Sequence, residues 1–156
     1  MKKVFSIWSL TLLIVMCLGS SCSKDDDEGN DNNLVGLWKF SSQTAEIENP
    51  SDPSAVKEEQ ARIALQHGIM KNMVITIEFK SNGAYILSIL GVITDEGTWV
   101  LNKNILSVTD SEETTFFTIT IKHGMLTLTE NILDDPNEDY RSRGFTKYNV
   151  IDTFIK

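Results

Sequence analysis

Val74-Ile75-Thr76-Ile77-Glu78-Phe79-Lys80-Ser81-Asn82-Gly83-Ala84-Tyr85 is the stretch on which the fold turns. Apolar and polar residues alternate with a period of two, which puts Ile75, Ile77 and Phe79 on one face and Thr76, Glu78 and Lys80 on the other. Asn82-Gly83 follows, and both positions favour the positive φ of a type I′ turn, so the stretch reads as a β-hairpin. The return strand is Tyr85 to Leu90, apolar on both faces apart from Ser88.

The same rhythm continues in both directions. Upstream, Val35 to Ser41 reads as a first strand with Trp38 and Phe40 on one face. Downstream, Asp95-Glu96-Gly97 reads as a turn into a short strand, Thr98 to Leu101, and Asn102-Lys103-Asn104 as a turn into Ile105 to Thr109. An acidic loop, Asp110 to Glu113, leads to Thr115 to Ile121. Lys122-His123-Gly124 turns the chain into Met125 to Thr129, and a longer acidic loop ends in a last strand, about Lys147 to Phe154. These are eight strands, most of them joined by short antiparallel turns. The expected fold is all-β, an eight-stranded antiparallel up-and-down barrel, whose closure removes sticky edges and leaves an interior wide enough for one small ligand. An open sandwich also suits the pattern.

One segment breaks the period. Ser51-Asp52-Pro53-Ser54 offers turn and cap residues, and Ala55 to His67 is rich in helix formers. Val56, Ile63 and Met70 fall near one face with Ala64 beside them, and Gly68 is the expected C-cap. The helix is thus inserted between strands 1 and 2, over a barrel mouth or along a wall, either as cover for apolar sheet surface or as a lid.

If Trp38 points inward, the barrel lining consists of Phe40, Ile75, Ile77, Phe79, Tyr85, Leu87, Ile89, Trp99, Leu101, Phe117, Ile119 and Ile121. The same side chains would fill a solid core, so the sequence leaves a cup and a plug equally open. A cavity of about 300 Å3 or more would favour the cup.

The N-terminus carries a different message. Lys2 and Lys3 precede a nearly unbroken apolar stretch, Val4 to Leu18, and Gly19, Ser20 and Ser21 supply the small residues of a signal-peptidase site. The apolar run spans roughly 22 Å as a helix, short of the about 20 residues that cross a bilayer core. Leu18-Gly19-Ser20-Ser21-Cys22 resembles the lipobox of bacterial lipoproteins, with Leu18 one place further from the cysteine than usual. That resemblance implies a lipoprotein signal peptide over 1–21, diacylation (palmitate-type chains) of the Cys22 thiol, and membrane anchoring by two or three acyl chains. An ordinary secreted protein with an incidental cysteine is the alternative. Cys17 leaves with the signal, so the mature chain has neither a free thiol nor a disulfide, and its core alone holds the fold.

Residues 22–33 read as a disordered acidic tether, because Ser23-Lys24-Asp25-Asp26-Asp27-Glu28-Gly29-Asn30-Asp31-Asn32-Asn33 contains no apolar side chain. Its Lys-then-acidic run resembles the export signal that sends Bacteroidetes lipoproteins to the outer face of the outer membrane. The chain has 14 basic and 22 acidic residues, and removing 1–21 takes away two lysines and no acids, leaving a formal charge of −10. That balance argues against nucleic acid and against binding anionic headgroups by charge. Residues 34–156 are enough for one domain with a real core.

Gly36-Leu37-Trp38 matches the Gly-x-Trp of the lipocalin signature, and Gly97-Thr98-Trp99 repeats the spacing. In order, Leu34-Val35-Gly36-Leu37-Trp38, Ile77 to Tyr85, and Gly97-Thr98-Trp99-Val100-Leu101 are similar to the lipocalin-like domain of Bacteroidetes lipoproteins over nearly all of 34–156. The resemblance implies an eight-stranded barrel with room for a small apolar molecule, and gives Gly36 and Trp38 a structural role at the barrel base. In lipocalins that tryptophan packs against an arginine near the last strand. Here Arg141 and Arg143 precede the last strand and none follows it.

Little in the chain points to catalysis or metal. Asp135, Asn137 and Asp139 have the spacing of a calcium loop, but its sixth position is Tyr140 and its twelfth Thr146. His67 reads as a helix-end residue and His123 as a turn residue, with no second histidine at metal spacing. There is no Gly-x-Ser-x-Gly elbow and no phosphate-cradling glycine loop. The expectation is a monomeric, non-enzymatic lipoprotein without cofactor or metal, anchored in the outer membrane and holding a small apolar ligand in its barrel. The alternative is an interaction or structural module with a filled core that works through its loops.

Overall fold

The computed structural model describes residues 31–135 and 138–156. The signal at 1–21, Cys22, the tether up to Asn30 and Asn137 lie outside the described residues. Each of eight strands pairs with its neighbour in sequence, and the last returns to the first: β1 (Gly36–Glu48), β2 (Ile75–Phe79), β3 (Ala84–Ile89), β4 (Val92–Asn102), β5 (Ile105–Thr109), β6 (Thr114–Lys122), β7 (Met125–Asn131) and β8 (Lys147–Ile155). Every pairing is antiparallel, so the barrel is the expected up-and-down one and the sandwich is excluded. A helical turn, α1 (Asp31–Leu34), crosses the boundary expected at residue 34, and helix α2 (Pro53–Met70) stands between β1 and β2. Among the described residues no helix is long and apolar enough to cross a membrane.

The β2–β3 hairpin lies where the sequence puts it, but its turn is of another type. Only Gly83 has positive φ (81°); Asn82 does not. Gly83 N donates to Lys80 O at 3.0 Å and Lys80 N to Ala84 O at 2.8 Å. This is a three-residue loop ending in a left-handed glycine. The Asn82 side chain accepts from Ala84 N at 3.1 Å instead of adopting the left-handed conformation itself.

The next turn is displaced. Leu90 and Gly91, with φ of 54° and 79°, form the β3–β4 turn, and Asp95-Glu96-Gly97 lies inside β4. Gly97 serves packing and not chain reversal: a Cβ there would lie 2.0 Å from Thr109 O and 2.9 Å from the Tyr85 ring.

β1 is almost twice the length expected, and it changes face part-way. The register with β8 slips between Phe40 and Ser42. Before this bulge Trp38 and Phe40 point inward; after it Gln43, Ala45 and Ile47 do, as the alternating burial records.

Trp38 is fully buried at the base of the barrel. Its Nε1 donates to Leu34 O at 2.7 Å, which fastens α1 across the closed end. Lys156 Nζ stands 4.7 Å from the Trp38 ring centroid and donates to Asn33 O and Val35 O, both at 3.3 Å. A lysine one residue past β8 thus covers the ring, while Arg141 pairs with Asp134 and Arg143 with Glu59.

α2 begins at Asp52, whose carboxylate accepts from Ser54 N and Ala55 N. It runs past Gly68, which is inside the helix and not its cap, to Lys71. Its buried residues are Ala55, Glu59 and Ile63, with Val56 and Met70 partly buried, whereas Ala64 faces solvent. The helix rests on inward-facing side chains of β1 and β8: Ala55 packs with Ile47 and Tyr148, and the half-buried His67 ring stands edge-on to Phe40 at 6.4 Å.

Candidate functional site

The interior divides into a packed base and a looser upper half. At the base, Phe79 and Trp99 meet edge to face at 5.8 Å, Phe40 and Phe154 at 5.7 Å, and the Trp99 indole donates to Lys80 O at 3.1 Å. All twelve residues read as lining belong to this inward cluster. Phe40, Ile75, Ile77, Phe79, Tyr85, Trp99 and Ile119 are buried in it, and Leu87, Ile89, Leu101, Phe117 and Ile121 are partly buried against it. Leu106, Leu126, Leu128 and Phe154 join them, from β5, β7 and β8, the strands for which the sequence reading named no inward face. Their period-two alternation was signal enough, once any one residue of each strand was known to face inward.

Above the base is a cavity of about 140 Å3 between β2 and β7. Ile77, Leu87, Val108, Phe117 and Leu128 form its apolar walls, with Tyr85, Asp95, Asp110 and Thr115 around them. This is half the volume that a cup for a drug-sized molecule needs. Among the described residues the interior thus combines a packed base with a small chamber. The Tyr85 hydroxyl donates to Asp95 Oδ2 at 2.7 Å. Burial, and then the Asp95 carboxylate, push the Tyr85 hydroxyl far above its ordinary value, so it stays a neutral donor. Asp110 is held below the usual carboxylate range by the backbone amides of Glu113 and Glu112.

Among the described residues, two of the hollows outside this chamber are larger than it. One of about 270 Å3 sits on the rim between the starts of β6 and the end of β7, and includes Glu113, Thr115 and Glu130. The other, about 330 Å3, is larger than the chamber but runs over the outer wall, along Phe116, Thr118, Thr129 and Asn149.

Where α2 meets the 132–146 loop, a polar knot closes the mouth on the β1–β8 side. Glu59 Oε2 accepts from Tyr148 Oη at 2.9 Å and Arg62 Nε at 2.8 Å, and Glu59 Oε1 from Arg143 at 3.3 Å. Arg62 also donates to Tyr148 Oη at 2.7 Å. Burial raises the Glu59 carboxyl, but these donors together hold it below its ordinary value. The Arg143 guanidinium lies over the Phe145 ring at 5.2 Å and the Tyr140 ring at 5.8 Å. Every charge in the knot has a partner, which makes it a fastening. Tyr140, the sixth position of the calcium-like spacing, is buried there, and among the described residues no group of three His, Cys, Asp or Glu is placed to hold a metal ion.

No family model, no curated protein and no solved structure matches the chain. The barrel is thus established by its strand pairing, and the likeness to lipocalin-like lipoproteins is carried by the sequence motifs alone.

Proposed function

We propose that the protein is a membrane-anchored binding module of the outer membrane, which takes a small ligand with a short apolar portion into the upper half of its barrel and performs no catalytic step. The observation that carries this reading is the chamber of about 140 Å3 with apolar walls above the packed base of the barrel. An engineered apolar cavity of roughly 150 Å3 in another protein stays dry and binds benzene, so a ligand portion of about six heavy atoms matches this volume. A fatty acyl chain would be too long for it. The lipobox resemblance at Leu18 to Cys22 and the acidic run behind it support the anchor and the outer face.

Two experiments test the two halves. Benzene titrated into the full-length chain in zwitterionic lipid nanodiscs should raise the Tm, and Leu87→Phe, which fills the chamber, should abolish the rise. An undiminished rise in Leu87→Phe would put the probe elsewhere. For the anchor, Cys22→Ala should abolish metabolic acyl labelling and release the protein from membranes; labelling that persists would refute lipidation.

The interaction-module reading is favoured by one observation. Leu90, Val92 and Ile93 at the β3–β4 turn are 66%, 65% and 55% exposed, beside Val74, whose carbonyl accepts from Leu90 N. Replacing the three by Ser would weaken partner capture under that reading, and would leave benzene binding untouched under the first.

A further inference from the structure

Two inward-facing side chains carry a buried polar atom without a hydrogen-bond partner, and a third carboxyl group stands near them. Gln43 on β1 and Asp152 on β8 are cross-strand partners, and the bulge in β1 is what brings Gln43 to the inner face. Gln43 is 6% exposed, yet its Oε1 has no hydrogen-bond partner, and neither has Asp152 Oδ1. Both atoms are acceptors. Glu130 is the nearby carboxyl group: it lies two residues along β7 from Leu128, and Leu128 is the cross-strand partner of Asp152. Glu130 and Asp152 are each only partly exposed. The ion pairs of Glu46, Glu59 and Asp134 do not involve Glu130 or Asp152.

Buried acceptors without donors are destabilising, and native structures keep few of them. Here Asp152, which pairs across the strands with both Gln43 and Leu128, stands next to the apolar chamber, since Leu128 forms part of its wall. Two of the three groups are carboxylates, so the partner that completes them is a cation, and it must donate several hydrogen bonds from one point. A primary ammonium brings three N–H donors on a single atom. The rim carries Asp95, Asp110 and Glu113, which bias the entrance toward cations.

We propose that the barrel holds a small primary alkylammonium, its NH3+ seated among Gln43, Glu130 and Asp152 and its alkyl arm in the chamber. This rests on the chamber being a binding site, as argued above, and names the chemistry of its occupant.

The test compares n-butylamine hydrochloride, n-butanol and benzene on the full-length chain in zwitterionic nanodiscs at pH 7, read by Tm. At about ten times its Kd, butylammonium should raise the Tm by about 5 °C, and butanol at equal concentration by less than half as much. Asp152→Asn should cut butylammonium affinity at least tenfold and leave the benzene response unchanged; Glu130→Gln serves if that variant does not fold. Butanol equal to butylammonium, or an amine response that survives Asp152→Asn and Glu130→Gln, overturns the ammonium while a benzene response keeps the chamber. No response to any of the three overturns both. A larger rise with calcium chloride than with butylammonium would replace the amine by a metal ion, and so also overturn the proposal.

Discussion

Asp152 faces inward with a carboxyl that burial holds above its ordinary value, the Gln43 side chain pulling the other way. Beside it, burial first and then the charges of Asp152, Asp135 and Glu113 raise the Glu130 carboxyl as well. A carboxyl whose folded pKa is raised favours the fold below its unfolded pKa, and that contribution is lost as pH rises through the folded value. Asp152→Asn should therefore stabilise the unliganded protein at pH 7 by about 1 kcal/mol, the scale of an unsatisfied buried polar atom. The gain should vanish as pH falls below the ordinary carboxylate range, which urea unfolding across pH would show; destabilisation at pH 7 would mean that the hydrogen bond from Gln43 outweighs the burial of the charge. Lys156→Ala removes the cation over Trp38 and two hydrogen bonds, and should cost about 1–2 kcal/mol with a change in tryptophan fluorescence. The aromatic plug was legible as Trp38 in a Gly-x-Trp, whereas Lys156 was not, because only the closed barrel brings the chain's last residue beneath that ring.

At the scale of elements, the sequence located strands better than it located turns or faces. Asn82-Gly83 marked a reversal correctly, although the asparagine side chain, by accepting from Ala84 N, supports a turn with one left-handed residue instead of two. Gly97 imitated a turn because a glycine forced by the closeness of Thr109 O looks the same in sequence as one forced by positive φ. The polar inner layer was hidden by the bulge after Phe40: strict alternation would have sent Ser42 and Thr44 inward, and one extra residue sends Gln43 and Ala45 instead. The buried Glu59 was equally hidden, since its partners Arg143 and Tyr148 are 84 and 89 residues away. That knot gives a prediction for α2. Tyr148→Phe deprives Glu59 of a donor and should cost about 1–2 kcal/mol, and hydrogen exchange should speed up in Pro53–Met70 more than in β5–β7. Uniform acceleration would mean that the helix and barrel unfold together. Asp52→Ala, which removes the N-cap, should cost about 1 kcal/mol and act on the same helix.

For the whole molecule, barrel closure follows from a sequence of short antiparallel reversals, and that much could be read directly from the chain. Whether the barrel is cup or plug could not, because the same inward aliphatics serve both; the answer depends on how the side chains interlock, and it is a plug with a small chamber above it. The size of that chamber changes the expected ligand from a lipid-like molecule to a compact one. The acidic inner layer then gives that ligand a charge. Methyl NMR of the full-length chain in nanodiscs, with benzene added to millimolar concentration, tests the central claim most directly. The methyl groups of Ile77, Leu87, Val108 and Leu128 should shift together, while those of the outward-facing Leu37, Val100 and Ile105 stay in place. Unmoved resonances at those four residues, or equal shifts inside and outside the barrel, would contradict a binding chamber.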